Sequence, residues 1–284
     1  MSEKIGIKNM MLRISLVIFL FILSPLAGAA DRFSLPDGVY YHRFASSVVG
    51  PTSAWINPAA IGYRKDFMTE YLGAYYEGKF LKSWGWATSG DGIAIAYRHL
   101  DDFQHQAYDE YIFGVGDQIL PNLFGGVSYL HIKNGAGIYR KKHLWNISLS
   151  MNNNRKLVTG VVFSNLNRTK NNGRPTGVEQ LYSFSYRPSN NLIILSMEIS
   201  LSSRQSLASA GYNYGIDIMP AKGIFVYANI DNSRNFQCGF KVNLEKEYVG
   251  SQSHYDSRGH HKGTTSIVGY QAIPQPSLVV IHKK

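Results

Sequence analysis

The feature of this sequence that most limits its fold is a two-residue alternation of apolar and polar side chains. Between positions 235 and 244, five apolar residues alternate with polar residues or glycine: Phe236, Cys238, Phe240, Val242 and Leu244. Successive side chains of a β-strand point to opposite faces, so this spacing gives one apolar and one polar face. Segments of this kind recur from about residue 70 onwards. The sequence therefore predicts an all-β protein with antiparallel strands.

The first 30 residues have the three parts of a secretory signal peptide. Lys4 and Lys8 give a basic start, an apolar run follows from residue 14 to residue 23, and small residues occupy positions 27–30. The apolar run is too short to span a bilayer comfortably as a helix. We therefore expect residues 1–30 to be removed and the rest of the chain to be exported.

Export and strand alternation together predict a barrel in the outer membrane. No later segment approaches the roughly 20 apolar residues of a spanning helix, and only a closed barrel otherwise satisfies every backbone group in lipid. Short turns such as Pro121-Asn122 alternate with longer polar connections such as residues 165–176, and the chain has 19 tyrosines and 14 phenylalanines for aromatic girdles. We predict an antiparallel up-and-down transmembrane β-barrel of roughly 12–14 strands with a short N-terminal plug-like segment.

The chain divides into four parts by composition. They are a signal peptide at 1–30, a plug-like segment at 31–68, the β-barrel at 69–272 and a C-terminal tail at 273–284. The second part contains small residues and prolines and lacks alternation, which argues against a long strand or helix. The predicted strands lie near 69–80, 92–99, 108–117, 123–132, 143–151, 156–164, 179–187, 191–201, 207–218, 222–231 and 235–244, with 264–272 as a weaker last candidate.

The polar faces of the predicted strands supply the candidate site. A carboxylate on such a face would be costly in a dry core but comfortable in a wet lumen. Five residues are predicted to line a solute path through the lumen: Glu198, Asp217, Asn213, Gln237 and Lys241. Three residues are predicted to belong to the plug: Asn57, Pro58 and Ala59.

The stretch from Trp55 to Gly62, with its Asn-Pro-Ala sequence, resembles an element near the mature N-terminus of fatty-acid-transporter-like outer-membrane barrels. That group includes the long-chain fatty-acid transporters and related barrels of Bacteroidetes-type secretion systems. Residues 111–129 also resemble that group in their strand-turn-strand sequence pattern. The resemblance implies a barrel of about fourteen strands. A second resemblance, to the barrel ahead of some signal-peptide-peptidase-like serine peptidases, implies that the chain could be the barrel part of a larger protein.

The sequence lacks the motifs of common catalytic sites. It contains neither the GxSxG nucleophile elbow nor the HExxH zinc motif. Gly114-Val-Gly116 lacks the third glycine of a dinucleotide-binding loop and is better placed in a strand. We therefore predict a protein that is not an enzyme and has no cofactor.

Histidines at positions 254, 260 and 261 could bind a transition metal together with Asp256. Glycine and serine surround them, so we predict a solvated loop and no metal site. The net charge of +10 could attract nucleic acid, but the basic residues are scattered. The predicted partners are outer-membrane lipid and an envelope protein, with no nucleic acid.

Two classes of function remain open on the sequence. In the first, the chain is a non-enzymatic outer-membrane barrel that passes a small or hydrophobic solute or serves as an envelope scaffold. In the second, it is a soluble periplasmic or surface β-domain that binds a protein partner, because a β-sandwich in water shows the same alternation. A truncated barrel part of an envelope peptidase is a further alternative.

Overall fold

The structure is a computed structural model that describes residues 44–76, 79–101, 107–135, 142–153, 156–171, 174–175, 177–188, 192–203 and 205–272. The expected signal peptide and C-terminal tail lie outside the described residues. Within them, no helix is both long enough and apolar enough to cross a membrane.

Strands make up most of the described chain. Their bounds are β1 Met68–Tyr76, β2 Lys79–Gly90, β3 Ile93–Asp101, β4 Ala107–Leu120, β5 Leu123–Lys133, β6 Lys142–Asn153, β7 Leu157–Ser164, β8 Lys170–Asn171, β9 Arg174–Pro175, β10 Glu179–Tyr186, β11 Ile193–Ser202, β12 Gly211–Ala221, β13 Ile224–Asp231, β14 Phe236–Leu244, β15 Glu247–Tyr255 and β16 His261–Gln271. Fourteen strands pair antiparallel with their neighbours, and β1 pairs with β16 to close a 14-stranded barrel, while β8 and β9 form a separate two-stranded antiparallel sheet. The predicted up-and-down β-barrel is confirmed.

Two wall strands were missing from the sequence prediction. The prediction placed a single strand over 69–80, whereas β1 ends at Tyr76 and β2 begins at Lys79. The prediction also placed no strand at β15, where Ser251 and Ser253 occupy the outer face and interrupt the apolar alternation. His254 was predicted to lie in a solvated loop. It belongs instead to β15, where its side chain is buried.

The two ends of the barrel differ in the length of their connections. At one end, two-residue turns join the strands at 91–92, 121–122, 222–223 and 245–246. At the other end, residues 165–178 and 203–210 form longer connections. Outer-membrane barrels have short turns on the periplasmic side and longer loops outside, so we take the short-turn end as periplasmic. β1 begins and β16 ends at this end, because Met68 pairs with Gln271.

The two faces of the wall differ: the outer face is apolar and aromatic, whereas the inner face combines buried polar groups with an apolar cluster around the lumen segment. In β4, Tyr111, Phe113 and Val115 are 40–50% exposed on the outside, while Ile112 and Gly114 between them are buried inside. A row of stacked and tilted rings also crosses the outer face of β1 to β6 near the loop end, with centroids of neighbouring rings 4.6 to 6.4 Å apart. Apolar side chains and aromatic rings on the outside match a lipid-facing wall and its interfacial girdle.

Residues 44–63, here called the lumen segment, lie inside the barrel. The segment contains a short α-helix, α1 Ser53–Ile56, and a 3-10 helix, Pro58–Tyr63. Asn57 separates them, and its side chain accepts a hydrogen bond from the backbone N–H of Ala59 at 3.2 Å. Proline at the first position suits a helix start, because the N–H that it lacks would be unpaired there.

Candidate functional site

Glycines in the wall let the backbone of the lumen segment lie directly against it. A Cβ atom on Gly116 would overlap the carbonyl oxygen of Pro58, and one on Gly126 would overlap the backbone of Pro58 and Ala59. On the far side of the lumen, a Cβ on Gly215 would overlap the ring of Phe44. The Asn-Pro-Ala element is therefore seated on a patch of β4 and β5 that has no side chains.

Serines of β10 hold the start of the lumen segment. The backbone N–H of Ser46 donates to the hydroxyl of Ser183 at 3.0 Å, and the hydroxyl of Ser46 lies 2.7 Å from those of Ser183 and Ser185. All three side chains are buried. These bonds satisfy polar groups that would otherwise be costly inside the barrel.

Two carboxylates from distant strands accept backbone hydrogen bonds from the same segment. Glu198 in β11 accepts the N–H of Ala45 at 3.0 Å, and Glu70 in β1 accepts the N–H of Thr52 at 3.1 Å. Glu70 also accepts a short hydrogen bond from the hydroxyl of Tyr248. These two carboxyl groups therefore hold the segment to β11 and to β1.

Asn57 ties the two halves of the lumen segment together. Its side-chain amide donates to the carbonyl oxygen of Ala45 at 2.6 Å. The neighbouring Ala59 donates its N–H to the hydroxyl of Ser148 in β6 at 2.7 Å. Asn57 and Ala59 are fully buried, so this part of the segment is locked between its own backbone and the wall.

A buried ion pair lies beside α1. Arg98 in β3 donates a short hydrogen bond to Glu110 in β4, and the two side chains are 4% and 0% exposed. The guanidinium also lies 5.0 Å from the ring of Trp55, a distance that suits a cation–π contact. The pair therefore joins two wall strands to the lumen segment.

The five residues predicted for the solute path all lie on the inner face of the wall, but they do not form one cluster. Glu198 contacts the lumen segment, and Asn213 lies opposite it in the register of β11 and β12. Asp217 follows four residues later on the same face of β12. In β14, Gln237 accepts a hydrogen bond from Gln252, and Lys241 lies 3.7 Å from the ring of Tyr248.

Several residues that hold the lumen segment were missed by the sequence analysis. Glu70, Ser183, Ser185 and Ser148 contact it directly. The signal available in the sequence was their place in the alternation, since each residue occupies an inward-facing position of its strand. Serine is small and common on polar faces, so an inward-facing position alone does not distinguish a residue that contacts the segment from one that contacts water.

The three histidines considered as metal ligands have separate partners. Nδ1 of His260 lies 3.3 Å from Asp256, and His261 instead pairs with the hydroxyl of Thr264. A hydrogen bond from the backbone N–H of His260 holds the pKa of Asp256 well below its usual range. Among the described residues, no three His, Cys, Asp or Glu side chains come close enough together to hold a metal ion.

Replacing Gly126 by alanine should loosen the lumen segment, because the new methyl group overlaps backbone that cannot rotate away. Overpacking of this kind costs about 1–3 kcal/mol, which corresponds to roughly 5- to 150-fold faster hydrogen exchange in residues 44–63. The matched control is Gly90→Ala, whose Cβ would lie 3.6 Å from its nearest neighbour. Equal exchange in the two variants would show that the segment does not depend on this glycine seat.

The closed wall, its apolar outer face and its polar, occupied lumen define a β-barrel of the outer-membrane class. No protein-family model and no curated protein matches the chain. Among solved structures, it is similar to the outer membrane protein Omp33 of Acinetobacter baumannii, with 10% identity over 74% of this chain and 99% of that one and a TM-score of 0.50.

Two further solved structures share the fold. The CymD monoaromatic hydrocarbon channel has a TM-score of 0.51 and 10% identity, over 81% of this chain and 98% of that one. The toluene transporter TodX of Pseudomonas putida has a TM-score of 0.51 and 8% identity, over 80% of this chain and 95% of that one. At these identities the similarity is one of fold.

Proposed function

We propose that the chain passes a small or hydrophobic solute across the outer membrane and that the lumen segment is its gate. The observation that carries this proposal is the way in which the segment is held. It lies inside the barrel without belonging to the sheet, and hydrogen bonds from Ser46, Ala45 and Thr52 to wall side chains hold it there. A piece held in this way can leave without breaking any strand pairing of the wall.

The class of solute is proposed from two supports. The sequence around Asn57 resembles that of fatty-acid-transporter-like barrels, and the barrel has the strand number that this resemblance implies. Two structures of the same fold are described as a monoaromatic hydrocarbon channel and a toluene transporter. We therefore favour membership of the fatty-acid-transporter-like group and a hydrophobic solute.

The path would run along the inner faces of β11, β12 and β14. Glu198, Asp217, Asn213, Gln237 and Lys241 supply its polar groups, and Asn57 to Ala59 close it. In this assignment the inner-face residues select and conduct, and no residue has a catalytic role.

An envelope scaffold is the second candidate, and the buried Arg98–Glu110 pair favours it, since the pair would suit a permanently filled barrel. A soluble domain fits less well, because the outer wall exposes large apolar residues such as Phe113 and Phe240. A barrel that belongs to a larger peptidase would still need the same wall and lumen.

A reversible disulfide tests whether the segment moves. A Cβ atom built on Gly114 lies 3.5 Å from the Cβ of Ala54, within the range of a disulfide, and only the end of the Ile61 side chain must shift. In a Cys238→Ala background, the pair Ala54→Cys and Gly114→Cys should lower conductance in planar bilayers when oxidised. Reduction should restore the conductance of the parent protein.

Each single cysteine variant in the same background is a matched control and should not respond to reductant. Equal conductance of the locked and reduced forms would exclude the segment as a gate. A parent barrel that never conducts, and takes up no aromatic hydrocarbon into liposomes, would favour the scaffold.

A further inference from the structure

The outer wall has an apolar groove near its periplasmic end. The groove encloses about 490 Å³, a volume within the range of ligand pockets. Apolar side chains of four neighbouring strands line it: Ile93, Val115, Ile119, Val127, Ile147 and Leu149. Ile93, Ile119 and Ile147 are 40–57% exposed, so the walls of the groove are open to whatever surrounds the barrel.

Small residues and one folded side chain form the floor of the groove. Gly125 faces outward between Asp117 on one side and Leu149 on the other. The end of the Ile119 side chain lies over Gly125, where a Cβ atom would overlap it. The floor is therefore apolar and lower than the walls of isoleucine, valine and leucine beside it.

The mouth of the groove carries charges of both signs. Asp91 and Asp117 line it, and Nζ of Lys65 lies 3.6 Å from Asp117. Lys65 and Asp117 are 65% and 70% exposed. The backbone also fixes Lys65 beside the turn, because its carbonyl oxygen accepts the N–H of Asp91 at 2.9 Å. One cation and two anions thus stand beside the apolar groove.

We propose that this groove binds one phospholipid of the periplasmic leaflet, with an acyl chain between the apolar walls and a zwitterionic headgroup at the mouth. The ammonium of the headgroup meets Asp91 and Asp117, and its phosphate meets Lys65. The apolar walls match the acyl chain of such a lipid, and the charges of both signs match its zwitterionic headgroup. This binding requires a membrane-embedded barrel and is independent of solute passage.

Native mass spectrometry of the full chain in detergent, with added phosphatidylethanolamine or phosphatidylglycerol, tests the proposal. One phosphatidylethanolamine should stay bound per barrel, and Val127→Trp should lower its bound fraction at least about tenfold by filling the groove. Val268→Trp, on the outer face of β16, is the matched control and should leave it unchanged. Asp91→Asn with Asp117→Asn should remove the preference for the ammonium headgroup.

Three results would overturn the proposal: no retained lipid, equal loss in Val127→Trp and Val268→Trp, or a headgroup preference that the double asparagine variant keeps. The unboiled gel mobility of each variant shows whether the barrel has closed. Because bound lipid is counted directly, the result does not depend on whether the barrel conducts.

Discussion

Replacing Arg98 by alanine should lower the free energy of unfolding by about 3–5 kcal/mol, because Glu110 is then left as a buried charge without its partner. Glu110 is fully buried, so water cannot replace the guanidinium. Trp55 also loses its cation–π contact, and the lumen segment should loosen as the wall does. Denaturant unfolding, followed by the gel mobility of unboiled protein, measures the change.

Two controls separate this effect from the loss of any basic residue. Lys65→Ala removes an exposed ion pair, which is worth about 0–1 kcal/mol. The double variant Arg98→Met with Glu110→Leu removes both buried charges and should recover much of the lost stability. If Arg98→Ala cost no more than Lys65→Ala, the pair would have to be hydrated, contrary to its burial.

Removing both carboxylates that bind the lumen segment should release it. Removing the acceptor leaves the N–H of Ala45 or Thr52 unpaired at a cost of about 1–3 kcal/mol each, so Glu70→Ala with Glu198→Ala should cost about 2–6 kcal/mol of docking energy. Hydrogen exchange in residues 44–53 and conductance in planar bilayers should rise together. The wall should keep its strand pairing, because the hydrogen bonds between strands join backbone atoms and do not involve these two side chains.

One control for this prediction keeps an acceptor oxygen at position 198, and the other removes a carboxylate that does not contact the segment. Glu198→Gln retains an oxygen that can accept the N–H of Ala45 and should have a smaller effect. Glu247→Ala removes an exposed carboxylate at the start of β15 and should have none. Faster exchange without a rise in conductance would mean that the segment loosens without opening a path, which would favour the scaffold.

The sequence predicts those features of the structure that follow from the alternation of inward- and outward-facing positions along each strand. The alternation correctly predicted that Phe236 and Phe240 face outward and that Glu198 faces inward, because it is a local property of each strand. It failed at β15, where Ser251 and Ser253 face outward and remove the apolar signal. Alternation identifies a wall strand only where its lipid-facing side chains are apolar.

The contacts of the lumen segment required the closed barrel. Glu70 and Glu198 lie in strands far apart along the sequence, and only the curvature of the wall brings both to one short segment. The sequence predicted that the Asn-Pro-Ala element belongs to a plug. It did not predict that the element packs against Gly116 and Gly126. Those glycines look the same in sequence as glycines that relieve twist or bulge a strand.

The position of the lumen segment along the chain has a consequence for assembly. It directly precedes β1, and β1 pairs with β16, which joins the first and last strands of the wall. A contact between such distant parts of a chain has the largest loop-closure cost and is expected to form late. Residues 44–63 are then available before the seam forms, and the growing sheet can curl around them as around an internal template. The seam would thus enclose the segment during folding, so each barrel would be completed with the segment already in its lumen.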